Sequence, residues 1–363
     1  MINFEKKNLT LVKLFPKLKR KYLGLLLFPF FFLFPTLAFA HEQYVLTKHQ
    51  LDVGFTDKTT HVLDALKSPE NVRIAIFVGI GITILMVLYF FFQYSKLGKL
   101  LDQKLYKFEN IGHFLIRISL AVSLLASAYF HAFLGPEIPI ISIFLGNLLI
   151  PLMYVLGLLL LFGIFTRISS FIGLLILLAT TLVYRDYMIT YFNYFGEYLA
   201  LIIFGSYFLS VDNKIFGISK LITKYKDLEI LILRVTYGIS VMYPAITIKL
   251  LHPAVIVAIY NQYHMGKIWW LFPPSALLTS LGTGLAQILV GVLIIFGFET
   301  RLAAFATFLL YFGSVIFFQE AVWPHIVLLA LAFYFVINNG GKFTLDNLIE
   351  NRLFTKKTKE SVS

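Results

Sequence analysis

The sequence predicts an all-α, polytopic membrane protein built from a leading transmembrane helix and two parallel four-helix units. Three observations carry that expectation. Of 363 residues, 59% are hydrophobic and 14% charged, with mean hydropathy +0.82, far more apolar than a soluble domain. The apolar residues fall in long uncharged runs, the clearest being 74–92, and about 20 apolar residues in a helix cross a hydrocarbon core about 30 Å thick. Lipid offers the backbone no hydrogen-bond partners, so a span must be a helix or part of a closed barrel, and these runs lack the alternation of barrel strands. Third, GIFTR at 163–167 returns 134 residues later as GFETR at 297–301. Each motif ends an uncharged run, 138–165 or 271–298, and each leads through a further apolar run to an acid, Asp186 or Glu320, 19 residues after the arginine. Matching motif, run length and acid position predict an internal duplication.

Taken in order, residues 1–40 read as a signal peptide. Lys6, Lys7, Lys13, Lys17, Lys19, Arg20 and Lys21 form its basic region, 22–34 its apolar core, and Ala38-Phe39-Ala40 its cleavage site. Residues 41–73 would then be exported, a segment too short for a core of its own. Ser68 and Pro69 mark the start of the leading helix, placed at 74–93, with Ser68 as cap and Pro69 in the first turn. A basic linker follows at 94–111. The first unit, 112–217, has helices expected at 112–134, 141–165, 168–186 and 190–211. A second basic linker occupies 218–228. The second unit, 229–348, has helices expected at 229–250, kinked by Pro244, then 274–298, 302–320 and 322–339. An insert at 251–272, rich in aromatic residues, is expected along the outer interface, and a basic tail fills 349–363.

Every lysine-rich stretch then lies on one side, together with Arg167 and Arg301, and the positive-inside bias makes that side cytoplasmic. The expected location is a bacterial inner membrane, with an exported mature N-terminus and a cytoplasmic C-terminus. The formal charge of +12 is thereby assigned to the lipid bilayer, and no nucleic-acid module is legible. With no cysteine in the chain, a disulfide framework, a dithiol relay and any cysteine-ligated centre are excluded.

The second unit carries Leu233-Arg234-Val235, Ile248-Lys249-Leu250, GVLIIFGFETR at 291–301 and NNGGKFTLD at 338–346. The first carries weaker counterparts, Ile116-Arg117-Ile118, 157–167 and 208–216. With these motifs the chain resembles the DoxX family of four-helix membrane proteins, in two tandem copies, the second nearer the family pattern. Arg117, Arg167, Arg234 and Arg301 are the motif arginines. Members include the membrane subunit of thiosulfate:quinone oxidoreductase, so the resemblance implies a quinone-interacting component of an oxidoreductase system. Its redox centre would sit on an exported or soluble partner. Many members have an acid 14 residues before the motif arginine, where this chain has Gln287 and Met153.

Candidate site residues are ionisable or amide groups at membrane depth, where burial is costly and function is the default reading. Lys249, Gln287, Asp186, Glu320, Glu197 and His325 form that set, with the interface between units, toward the outer leaflet, as the expected cavity. Each also has a plainer reading: snorkelling for Lys249, helix packing for Gln287, solvated helix ends for the acids, and interfacial packing for His325. Arg167 and Arg301 read as anchors reaching the headgroups. His41, if it becomes the mature N-terminus, offers amine and imidazole to copper, with His49 or His61 as a third nitrogen. The alternative to the quinone reading is a non-catalytic transporter or assembly factor that uses the interface between repeats.

Overall fold

The computed structural model describes residues 45–140, 143–206, 208–216, 219–268, 271–318 and 322–360. Among them the secondary structure is helical, apart from an isolated bridge between Ala132 and Pro139. The segment before the leading span forms α1 (Lys48–Thr56) and a 3-10 turn at Val62–Lys67. The leading span α2 (Pro69–Tyr94) begins where Ser68 and Pro69 marked its start and extends the uncharged run of 74–93 by a turn on that side. Ser68 stands at the cap position, but its side chain makes no capping bond.

The basic linker at 94–111 is a docked helix, α3 (Lys96–Tyr106), capped by the Ser95 hydroxyl, which accepts from the Gly98 amide. The first unit follows as α4 (Glu109–Tyr129), α5 (Ile143–Phe162), α6 (Thr166–Tyr184) and α7 (Phe192–Phe204), with a 3-10 segment at Arg185–Tyr191 joining α6 to α7. A short α8 (Val211–Phe216) closes it. The described part of the linker expected at 218–228 is also helical, because its lysines and leucines favour helix. It forms the first turns of α9 (Ser219–Pro244), which continues past Pro244 as a π-helix, Ala245–Leu250. Proline removes one backbone donor, and the helix widens to π geometry directly after it.

The insert contributes α10 (Pro253–Gln262), and the second unit is completed by α11 (Ala276–Phe296), α12 (Thr300–Phe318) and α13 (Val322–Asn338). The tail is helical, α14 (Leu345–Glu360). Among the described residues six stretches are long and apolar enough to cross a bilayer, one of them the joined pair α6–α7, and two shorter apolar helices lie within α5 and α13. The fold is therefore that of an all-α polytopic membrane protein.

Four helices make the centre. The first helix of each unit packs against the last helix of the other, α4 on α13 and α9 on α7, far more than on the last helix of its own unit. Small residues permit this. A Cβ on Gly196 of α7 would lie 1.9 Å from the Thr236 hydroxyl of α9, and one on Gly112 of α4 would lie 2.3 Å from the Asn338 amide of α13. α5 and α6 flank one side, α11 and α12 the other. The α9–α11 contact is equally close: a Cβ on Gly291 would meet the Gly238 carbonyl at 2.9 Å. Outside this body, α2 presents exposed apolar side chains along most of its length, as a lipid-facing span requires.

The N-terminal segment builds its core with the insert. Val45, Leu46 and Leu51 are buried against Val255, Ile256, Ile259, Tyr260 and Met265, and the Gln262 amide donates to the Val45 carbonyl at 2.6 Å. Neither piece is large enough to stand alone.

Candidate functional site

Two constructions stand out, a brace at the helix ends that carry the GIFTR and GFETR loops and a cavity toward the opposite ends. In the brace the motif arginines act on the backbone. Arg117, buried on α4, donates to the carbonyls of Phe208 (3.3 Å) and Leu209 (2.9 Å). Arg234, buried on α9, donates to those of Gly340 (2.7 Å) and Phe343. The orphan carbonyls beyond the last helix of each unit thus gain charged donors.

The loop before each motif arginine is held by an acid. Asp212 accepts from the Phe165 and Thr166 amides at 2.8 and 2.7 Å, and Asp346 accepts from the Glu299 amide at 2.9 Å. These carboxylates cap α6 and α12 from a distance. The glycine of each motif is left-handed, Gly163 at φ 65° and Gly297 at φ 67°. A Cβ there would lie 2.6 Å from Arg117 Nη1 or 2.3 Å from Arg234 Nη1, so only glycine leaves room for the guanidinium. Arg167 and Arg301 differ from the headgroup anchors expected of them. Both are half-buried: Arg167 donates to the Ile203 carbonyl at 3.1 Å, while Arg301 donates to those of Val336 and Ile337 and pairs with Asp102 of α3. The last carbonyls of a helix are a nearer and less hydrated partner than lipid phosphate.

Glu299 lies in the loop between α11 and α12, outside the spans, and neither carboxyl oxygen has a hydrogen-bond partner among the described residues. Burial, and then the negative charge of Asp346, push its carboxyl from 4.5 up to about 7. Burial raises Asp346 as well. A carboxyl that holds its proton more tightly when folded favours the fold fully below its unfolded value. That contribution is lost as pH rises through the folded one. Between pH 5 and 8 the wild-type melting temperature in detergent should therefore fall relative to that of Glu299→Gln. Parallel curves would remove Glu299 as the cause.

At the end of the helices away from the brace, a cavity of about 340 Å³ lies inside the second unit. Its walls come from Ser240, Pro244 and Lys249 of the first helix and its π extension, Thr279, Thr283 and Gln287 of α11, Tyr311 and Ser314 of α12, and His325 and Leu328 of α13. Thr279, Thr283 and Gln287 recur every four residues, which puts them on one stripe of α11. The insert forms the roof through Ile256, Ile259, Met265, Leu271 and Phe272, joined by Val45 from the N-terminal segment. Thr190 is the first unit's contribution. Sequence reasoning expected the cavity between the units; it lies within the second and touches the seam only there, because the insert covers one unit alone.

The expected site residues divide accordingly. Lys249, Gln287 and His325 meet on this cavity, with Gln287 and His325 buried and the His325 ring 5.9 Å from that of Tyr311. Asp186 is exposed on the 3-10 segment between α6 and α7 and is not part of the lining. Glu197 is fully buried at the seam, outside the lining. Glu320 and His41 lie outside the described residues, as does the expected signal peptide at 1–40. His49 and His61 are exposed, and among the described residues no group of three His, Cys, Asp or Glu is arranged to hold a metal.

Sequence reasoning missed a buried pair between the units. His113 Nδ1 of α4 lies 2.9 Å from Glu229 Oε1 of α9, and both side chains are almost wholly enclosed. One turn away Lys226 pairs with Glu109. The available signal was charge spaced three and four residues apart on the first helix of each unit, 109/113 and 226/229.

Fold and site together define an all-α integral membrane protein with a roofed, largely apolar cavity. No known family profile, characterised protein or solved structure matches the chain.

Proposed function

We propose that this chain is two copies of a DoxX-type four-helix module, and that the roofed cavity of the second copy binds a quinone for an oxidoreductase system. The observation that carries this reading is the cavity itself. Apolar walls from α11, α12 and the insert enclose a few polar groups, Lys249, Gln287, Tyr311 and His325, the usual composition of a small-molecule site. A quinone matches it with an apolar ring and tail and two carbonyl oxygens that accept hydrogen bonds. The chain has no cysteine, so electrons would arrive from a redox centre on an exported or soluble partner. The duplication is supported by the brace, whose donors, acids and glycines recur in the same order in both units.

The test is binding. Protein purified in mild detergent should carry extractable quinone or bind decylubiquinone, and Gln287→Trp, which fills the cavity, should abolish binding without unfolding the protein. Absence of quinone from a folded wild-type protein would sink this reading and favour the transporter alternative.

The same reading puts the basic ends in the cytoplasm of an inner membrane. Cysteines introduced at Ser95 and Ser219 should resist membrane-impermeant thiol reagents in intact cells, whereas one at Ser275 should react. Labelling of both inner positions would reverse the orientation.

A further inference from the structure

Glu197 is an ionisable side chain in the middle of the protein that neither the brace nor the cavity lining uses. It sits on α7, fully buried, where α4, α7 and α9 meet. Among the described residues its oxygens have no partner in hydrogen-bonding geometry; Asn193 of the same helix and Ser119 of α4 are polar side chains beside it. The titratable groups around it are phenols, Tyr194 and Tyr198 of α7 and Tyr237 of α9. Among the described residues no cation pairs with it. An ionised carboxylate so enclosed would cost many kcal/mol, which leaves the acid form.

Packing does not demand an acid here. The residue 134 positions on, in the second unit, is Leu331, which is equally buried. What distinguishes the first unit is a polar connection to the cavity. Ser240, on the cavity wall, lies 2.9 Å from Asn193 Oδ1 and also donates to the Thr190 carbonyl. Asn193 stands one helical turn from Glu197. Carboxyl, amide and hydroxyl thus form a polar seam from the protein's centre to the ligand space.

We infer that Glu197 is an internal proton-binding site serving the cavity. Resting on the quinone reading, the step is quinone + 2e⁻ + 2H⁺ → quinol, with electrons from the partner's redox centre. The Glu197 O–H bond breaks and one O–H bond forms on a quinone oxygen; a water molecule gives the second proton to the other oxygen and leaves to solvent as hydroxide. The carboxylate left behind regains its proton from solvent when the quinol leaves.

Infrared spectroscopy of the full chain in nanodiscs tests this in two arms. In ligand-free protein, a protonated-carboxyl C=O band should persist above pH 7 and be missing from Glu197→Gln and Glu197→Leu. Leucine is the natural occupant of the equivalent position, so that variant should fold. With decylubiquinone bound, the electrochemical reduced-minus-oxidised spectrum should show a carboxyl change in the wild type that both variants lack, while their quinone affinity stays within about twofold. An ionised Glu197 in the first arm, or a wild-type carboxyl change that survives in Glu197→Gln, overturns the inference. Failure of folded wild-type protein to bind decylubiquinone removes the quinone step and the reading beneath it. The first arm then judges the proton site alone.

Discussion

Arg234→Ala should destabilise the protein by on the order of 3 kcal/mol, and Arg117→Ala by a similar amount. Each substitution removes a buried guanidinium and orphans two backbone carbonyls, Gly340 and Phe343 or Phe208 and Leu209. It also leaves a carboxylate, Asp346 or Asp212, without its nearest compensating charge. Lysine should rescue little, because a single ammonium on a flexible stem does not reproduce a planar fork reaching two carbonyls. Thermal unfolding in one detergent at fixed protein concentration measures this. A loss below about 1 kcal/mol, the range of surface substitutions, would show that the carbonyls find other partners and that the brace is incidental.

Removing one member of the His113–Glu229 pair should have an effect of comparable size. His113→Leu leaves Glu229 enclosed without its partner, and such breakage costs about 3–5 kcal/mol. Replacing both, His113→Leu with Glu229→Leu, should restore much of the loss, since two well-packed apolar side chains need no hydrogen bonds. A double-mutant cycle separates the outcomes. The expected coupling exceeds about 1 kcal/mol in favour of the double variant, and additive losses would mean that the two side chains do not depend on each other.

The helices were legible because composition and run length decide them. Among the described residues every expected span is helical, and most ends lie within a few residues of expectation. The larger errors have physical causes. The first helix of the first unit ends at Tyr129, before the left-handed residues His131 and Leu134, where no proline or glycine announces a stop. The linkers at 94–111 and 218–228 look like plain connections in the sequence because they are charged. Lys96–Tyr106 is nevertheless a good amphipathic helix, held by ion pairs such as Asp102 with Arg301.

Part of the site could be read because ionisable and amide groups are conspicuous in apolar helices. Lys249, Gln287 and His325 were found in that way, and the structure puts them on one cavity. Its roof was not legible. That Val45 would meet Ile256 and Ile259 depends on two segments more than 200 residues apart, and no periodicity within either one encodes the contact. The brace was visible as a motif but not as a mechanism, because its acceptors are backbone carbonyls, which leave no trace in a sequence.

The exchange of partners at the centre, α4 on α13 and α7 on α9, bears on how the protein is made. A ribosome delivers the first unit before α9 exists, so newly inserted α7 presents Glu197 and Asn193 to lipid or to the insertion machinery until its cover arrives. The second unit acts as an intramolecular chaperone for the first. Translation that stops near residue 217 would release a half with its polar seam uncovered, a substrate for membrane quality control. Two halves synthesised together as separate chains have a ready docking surface in each other.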